Sequence, residues 1–150
     1  LLLDDIIKMF YRTFAFIFYG VKRSQFTYGG RANSTQDISA VTAACMMVKK
    51  SVHDEIGGFD QRFEVAYNDI DYCLKVRELG KLVVFQAFAE LYHYESKSRG
   101  MEDTKEKKER FLSEAKLFRE KWKKVLQKGD PYYNPNLTLK HSDCSIKWEK

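Results

Sequence analysis

Three cysteines in 150 residues, Cys45, Cys73 and Cys144, are odd in number and lack metal-type spacing, so neither a disulfide framework nor a zinc cluster is expected. Thiols this sparse fit a reducing, cytoplasmic compartment, with Cys45 and Cys73 expected as small buried hydrophobes. Long hydrophobic runs are missing too. The longest uncharged apolar stretch near the start, Thr13 to Val21, falls far short of the roughly 20 residues that cross a bilayer, and no secretory pattern is visible. The chain as given is therefore expected not to span a membrane. It also lacks a phosphate-cradling Gly-rich loop, a nucleophile elbow, an internal repeat and any low-complexity segment, which removes several enzyme classes and repeat architectures at once.

What is present suits one compact domain over residues 1–150. Hydrophobic residues make up 44% of the chain and aromatics 15%, enough for a core of their own, with a polar tail from about residue 140. The net charge of +5 is concentrated: Lys97 to Lys128 carries 12 Lys or Arg against 6 Asp or Glu. Such a patch suits an anionic substrate, an anionic membrane surface or a solvated helix face, and the solvated face is the plainest reading. Its aromatics fall on the buried side of the helix, which disfavours base stacking and so argues against nucleic acid.

Alternating strand and helix patterns predict an α/β fold. Leu3, Ile6, Ile7, Phe10, Phe14 and Ile17 form an apolar helical stripe that needs a partner surface, and a second copy of the chain would supply one. Gly20, Gly29 and Gly30 mark loops. Ile38 to Val48, small and apolar, reads as a strand buried on both faces of a mixed sheet. Lys50 to Ile56 reads as a short helix stopped by Gly57, and Lys81 to Gln86 and Ala89 to Tyr92 as extended segments. The last long helix opens at Asp103 or Thr104, where Asp103 and Glu106 have capping-box spacing. Phe111, Ala115, Phe118, Trp122 and Val125 share its apolar face, with Lys and Glu opposite.

Two carboxylates carry the chemistry. In Tyr67-Asn68-Asp69-Ile70-Asp71, Asn68 is expected to cap a helix that ends at Gly80, with Asp71 at its third position. Acids there feel the positive helix end and accept backbone N–H bonds, so they are expected to stay ionised at neutral pH; a fixed, ionised carboxylate can serve as a general base. Asp at a helix start is also a common cap, and the residue types alone do not separate the two roles.

Four elements in register add to this: Val41-Thr42-Ala43-Ala44-Cys45-Met46-Met47-Val48, then Gly57-Gly58-Phe59-Asp60, then Asn68-Asp69-Ile70-Asp71, then Leu91-Tyr92-His93-Tyr94-Glu95-Ser96-Lys97-Ser98-Arg99-Gly100. In that order they resemble the acceptor-side, C-terminal part of family 2 glycosyltransferases with the GT-A fold, in the bacterial branch that makes rhamnose-rich surface polysaccharides. The likeness runs on through the Lys-rich helix to Pro131-Tyr132-Tyr133-Asn134-Pro135-Asn136. Two departures stand out. Asn68 takes the place of a Glu common in the family, and the only Asp-x-Asp, Asp69-Ile70-Asp71, lies at a helix start rather than a strand end. The nucleotide-binding half is therefore expected upstream of Leu1.

The resemblance implies an inverting enzyme that moves a sugar from a nucleotide-sugar donor to a glycan acceptor. Asp69 would be its base, with Tyr67, Asn68 and Asp71 at the acceptor. His93 would help hold a divalent cation, Mn²⁺ or Mg²⁺, and Ser96, Ser98 and Arg99 would face phosphate. A partial GT-A fold with flanking helices, at least a dimer in solution, and a place in the cytoplasm compatible with peripheral contact at the inner face of the membrane complete the expectation. The competing reading is a non-catalytic α/β interaction module whose basic helix binds an anionic partner. His53 and His141 have no sequence partners that suggest chemistry.

Overall fold

The computed structural model describes residues 28–91, 104–138 and 145–148. The Leu3 to Ile17 stripe, Cys144, and the residues from Tyr92 to Asp103, with His93, Ser96, Ser98 and Arg99 among them, lie outside that range.

The described chain is a mixed α/β structure with a long helix toward its C-terminus. Strand β1 (Gln36–Asp37) pairs antiparallel with β2 (Val84–Phe85), and Ile38 N–H extends the ladder to the Val83 carbonyl at 2.9 Å. Helix α1 is Lys50–Glu55, α2 is Asn68–Glu78, α3 is Lys105–Lys121, and a break at Trp122 separates α3 from α4 (Lys123–Lys128).

The segment Ile38 to Val48 departs from the two-faced strand expected of it. Beyond Ile38 it meets no strand partner among the described residues. It folds instead into a 3-10 turn at Ala43–Cys45, in which the Ala44 N–H donates to the Thr42 hydroxyl oxygen at 3.3 Å. Thr42 through Cys45 are exposed, so Cys45 is a surface thiol and not a core hydrophobe. A run of small apolar residues satisfies strand and turn equally well, and the neighbours present decide between them.

Helix α2 runs through the core: Ile70, Tyr72, Cys73, Leu74 and Val76 are buried, with Ala40, Phe63, Ala66 and Val83 around them. The predicted face of α3 closes over this cluster. Ala115, Phe118 and Trp122 are buried, Phe111 and Val125 are half-buried, and α4 adds Leu126. Side chains of this kind each stabilise by about 1.5–3 kcal/mol when withdrawn from water. Thr104 caps α3, its hydroxyl oxygen accepting from Lys107 N at 3.3 Å. Beyond α4, Ser39 donates to Asp130 at 2.6 Å and accepts from Arg77 at 2.8 Å, which ties the chain after Gly129 to the end of α2. The residues 145–148 return to the body through a bridge between Leu137 and Ile146.

Candidate functional site

The Gly-Gly-Phe-Asp motif is a brace between helices. Gly57 and Gly58 adopt φ of +72° and +67°, a region L side chains rarely occupy, and they turn the chain sharply off α1. Lys75 of α2 donates to the carbonyls of Ile56, at 3.2 Å, and Gly58, so a cation from one helix satisfies the C-terminal end of another. Phe59 lies against the Tyr72 ring at 4.6 Å, and the Tyr72 hydroxyl meets His53 Nδ1 at 2.9 Å. His53 thus has a structural partner that no local pattern revealed. Asp60 accepts from Arg62 through Nε at 2.9 Å and Nη2 at 2.7 Å, and from Lys121 of α3 at 2.9 Å. The Arg62 guanidinium, aided by Lys121 against the cost of burial, holds the Asp60 carboxyl well below the usual carboxylate range.

The residue that launches α2 is Tyr67, not Asn68. Its φ of +64° is left-handed, the one such value at a non-glycine among the described residues, and the helix proper begins at Asn68. For an L residue this conformation costs about 1–2 kcal/mol, so the surroundings must impose it. They do so from α3. The Tyr67 ring stacks on Phe118 at 4.9 Å and tilts against Phe111 at 5.8 Å. Glu114, between them on the same face, accepts from the backbone N–H of Glu64 at 3.2 Å and of Ala66 at 2.6 Å. Glu114 is 3% exposed. It belongs to the apolar face and not to the solvated one, and its helical offset from Phe111 and Phe118 was the sequence signal for this.

The two carboxylates of the first turn part company. Asp71 is 0% exposed; Trp122 Nε1 donates to its Oδ1 at 2.8 Å and Lys121 Nζ lies at 2.6 Å from the same oxygen, with Lys75 Nζ 3.9 Å from Oδ2. That makes it an internal anchor between α2 and the end of α3. Tyr67 is 3% exposed and its ring is taken up by the core. Asn68 is half-buried and its Oδ1 accepts from Asp69 N at 2.7 Å.

Asp69 remains half-buried at the edge of the exposed Thr42 to Cys45 turn, and its Oδ1 accepts from Ile70 N at 2.8 Å. Burial raises its carboxyl above the ordinary value, outweighing the backbone N–H groups of Ile70, Ala43 and Asp69 itself and the Thr42 hydroxyl, all of which favour the anion. The helix-end argument alone points the other way; a dipole worth about 0.3–1 kcal/mol at an exposed site is overridden here by desolvation. Beside it, burial pushes the Cys73 thiol up to about 12, with the Asp69 charge adding to the effect. The thiol holds Val41 in place, donating to its carbonyl at 3.7 Å and accepting from its N–H at 3.5 Å. The small-residue turn is thereby seated against α2, beside the Asp69 carboxylate.

Among the described residues, no group of three His, Cys, Asp or Glu side chains could hold a metal ion, and no helix is long and apolar enough to cross a membrane.

No family model and no solved structure matches the chain. Curated relatives do. It is 47% identical over 125 residues to the uncharacterized protein y4gI of Sinorhizobium fredii, covering 81% of this chain and 14% of that one. It is 37% identical over 118 residues to the O-antigen biosynthesis protein RfbC of Myxococcus xanthus, covering 79% of this chain and 9% of that one. The N-acetylglucosaminyl-diphospho-decaprenol L-rhamnosyltransferase of Mycobacterium tuberculosis is 28% identical over 67 residues, 45% of this chain and 22% of the relative. The chain therefore spans less than a quarter of the length of each of these relatives, and the names of the Myxococcus and Mycobacterium proteins point to a glycosyltransferase-like family.

Proposed function

We propose that this chain forms the acceptor-side, C-terminal part of a GT-A domain in an inverting family 2 glycosyltransferase of surface-polysaccharide assembly, with Asp69 as its general base. The observation that carries the reading is the environment of Asp69: a fixed, part-buried carboxylate with a raised pKa, at a strained helix start beside a small-residue turn. A base works best when its pKa approaches the working pH, and the shift at Asp69 is in that direction. In the reaction the acceptor hydroxyl would lose its proton to Asp69 as its oxygen bonds to the anomeric carbon. The bond from that carbon to the nucleotide diphosphate breaks, and the diphosphate leaves with the electron pair.

The names of the Myxococcus and Mycobacterium relatives support a glycan product. Asp71, closed off by Trp122 and Lys121, would orient the helix that carries Asp69 and not touch the acceptor itself. Asn68, the half-buried neighbour of Asp69 in the first turn, would contact the acceptor. His93, Ser96, Ser98 and Arg99 stay assigned to the donor diphosphate on the sequence resemblance; a divalent cation bound there would neutralise charge on the leaving group.

The test is Asp69→Asn in the full-length polypeptide. Transfer should be abolished while nucleotide-sugar affinity stays near wild type, since the lost group acts on the acceptor proton. Wild-type turnover in this variant would remove Asp69 from the mechanism.

A further inference from the structure

We infer that Glu114, in the middle of the basic helix α3, is a positioning residue for Asp69; the inference rests on the reading of Asp69 as the base. The Glu114 carboxylate spans two backbone N–H groups, Glu64 at 3.2 Å and Ala66 at 2.6 Å, in the three residues before the left-handed Tyr67. Phe111 and Phe118, three before it and four after it on α3, hold the Tyr67 ring. Backbone and side chain of the helix entry are thus both gripped by one face of α3, and Asp69 follows two residues later.

Left-handed backbone at a bulky residue relaxes unless something imposes it. Without the anionic acceptor, the amides of Glu64 and Ala66 would lose their buried partner, and Tyr67 could return toward ordinary φ and rotate the first turn of α2. Asp69 would swing with it, away from the Thr42 and Ala43 groups that now favour its anion. Arg110, with Nε 3.8 Å from Glu114, supplies the compensating charge for this buried carboxylate. The arrangement has a catalytic meaning because a displacement of about 1 Å at a reacting group can cost on the order of 100-fold in rate.

The experiment compares Glu114→Gln with wild type in the full-length polypeptide, per folded molecule as counted by circular dichroism. Glutamine keeps the volume but turns one acceptor into a donor facing an N–H group. The expected result is a fall in kcat of roughly 10- to 100-fold with donor KM unchanged. The acid limb of the kcat profile should also move to higher pH, as Asp69 loses the Thr42 and Ala43 groups that favour its anion. Wild-type kcat and acid limb, or a lowered Tm with kcat per folded molecule intact, would overturn the inference. Should Glu114→Gln not fold, Glu114→Asp, which keeps the charge and withdraws it by one methylene, is read against the same two outcomes. Asp69→Asn run alongside separates the failures: an active Asp69→Asn defeats the base assignment, whereas an inactive one beside a normal Glu114→Gln defeats only the positioning role.

Discussion

The Lys121 ammonium lies 2.6 Å from Asp71 Oδ1, a carboxylate with no exposure to solvent, and 2.9 Å from Asp60 Oδ2. One cation from the end of α3 therefore neutralises acids from two separate motifs. Burial alone would lower the lysine pKa, but the two carboxylates raise it on balance, so the charged form is the one that the fold stabilises.

Lys121→Met should leave Asp71 a buried charge with only the Trp122 N–H and the distant Lys75 beside it. Breaking a pair of this kind costs about 3–5 kcal/mol, which corresponds to roughly 10 °C in Tm for a domain of this size. Adding Asp71→Leu should recover most of the loss. Thermal melts of the single and double variants decide it, and additive losses would show that the pair is not coupled.

Asp60 supplies an acid-sensitive share of stability. Its carboxyl is depressed in the folded chain relative to the unfolded value of 3.8, so its contribution is complete above that value and disappears as pH falls through the folded one. Denaturant titrations at stepped pH should show a weaker acid loss in Asp60→Asn than in wild type.

Asp69 has the opposite sign. Its folded pKa is raised above 3.8, so folding favours the protonated form and stability is given up as pH climbs through the folded value. The stability difference between Asp69→Asn and wild type should shift toward the variant over that interval and level off above it. A difference that does not vary with pH would mean that Asp69 titrates alike in both states.

Gly57 and Gly58 share a left-handed backbone but not their surroundings. A Cβ at Gly58 would lie 3.1 Å from His53 Nε2, while one at Gly57 meets nothing within 4 Å. Gly57→Ala should cost about 1 kcal/mol from backbone strain, and Gly58→Ala about 1 kcal/mol more, because His53 must move off Tyr72. Equal losses in urea melts would show that His53 gives way freely.

Exposed Cys45 and buried Cys73 should differ in chemistry. With Cys144 replaced by serine, iodoacetamide at pH 8 should label Cys45 within minutes and leave Cys73 untouched until the chain unfolds, its thiol being raised to about 12. Labelling of both at similar rates under native conditions would contradict the seating of Val41 on Cys73.

Most helices could be read from periodicity and punctuation: α1 stops at Gly57, α2 runs into Gly80, and the face of α3 from Phe111 to Trp122 packs as its spacing requires. What could not be read was set by distant partners. Thr42 to Cys45 forms an exposed 3-10 turn tied to the Thr42 hydroxyl, and beyond Ile38 the segment meets no strand partner among the described residues. Tyr67 takes the helix entry from Asn68 because Glu114, 50 residues from Glu64, fixes the preceding amides. The Asp69 and Asp71 pair reads as one feature in sequence, yet burial divides it into a part-buried acid and a sealed one, a difference decided by Trp122 and Lys121.

Those distances along the chain set an order of events in biosynthesis. Asp71 meets Trp122 across 51 positions and Asp60 meets Lys121 across 61, so neither acid has its α3 partner until the end of α3 has left the ribosome. Closing loops of that length carries its entropic cost before any bond is made. A nascent chain halted before Lys121 would leave Asp60 with Arg62 alone and Asp71 with only Lys75 nearby, and the helix start that bears Asp69 takes its shape from the C-terminal side.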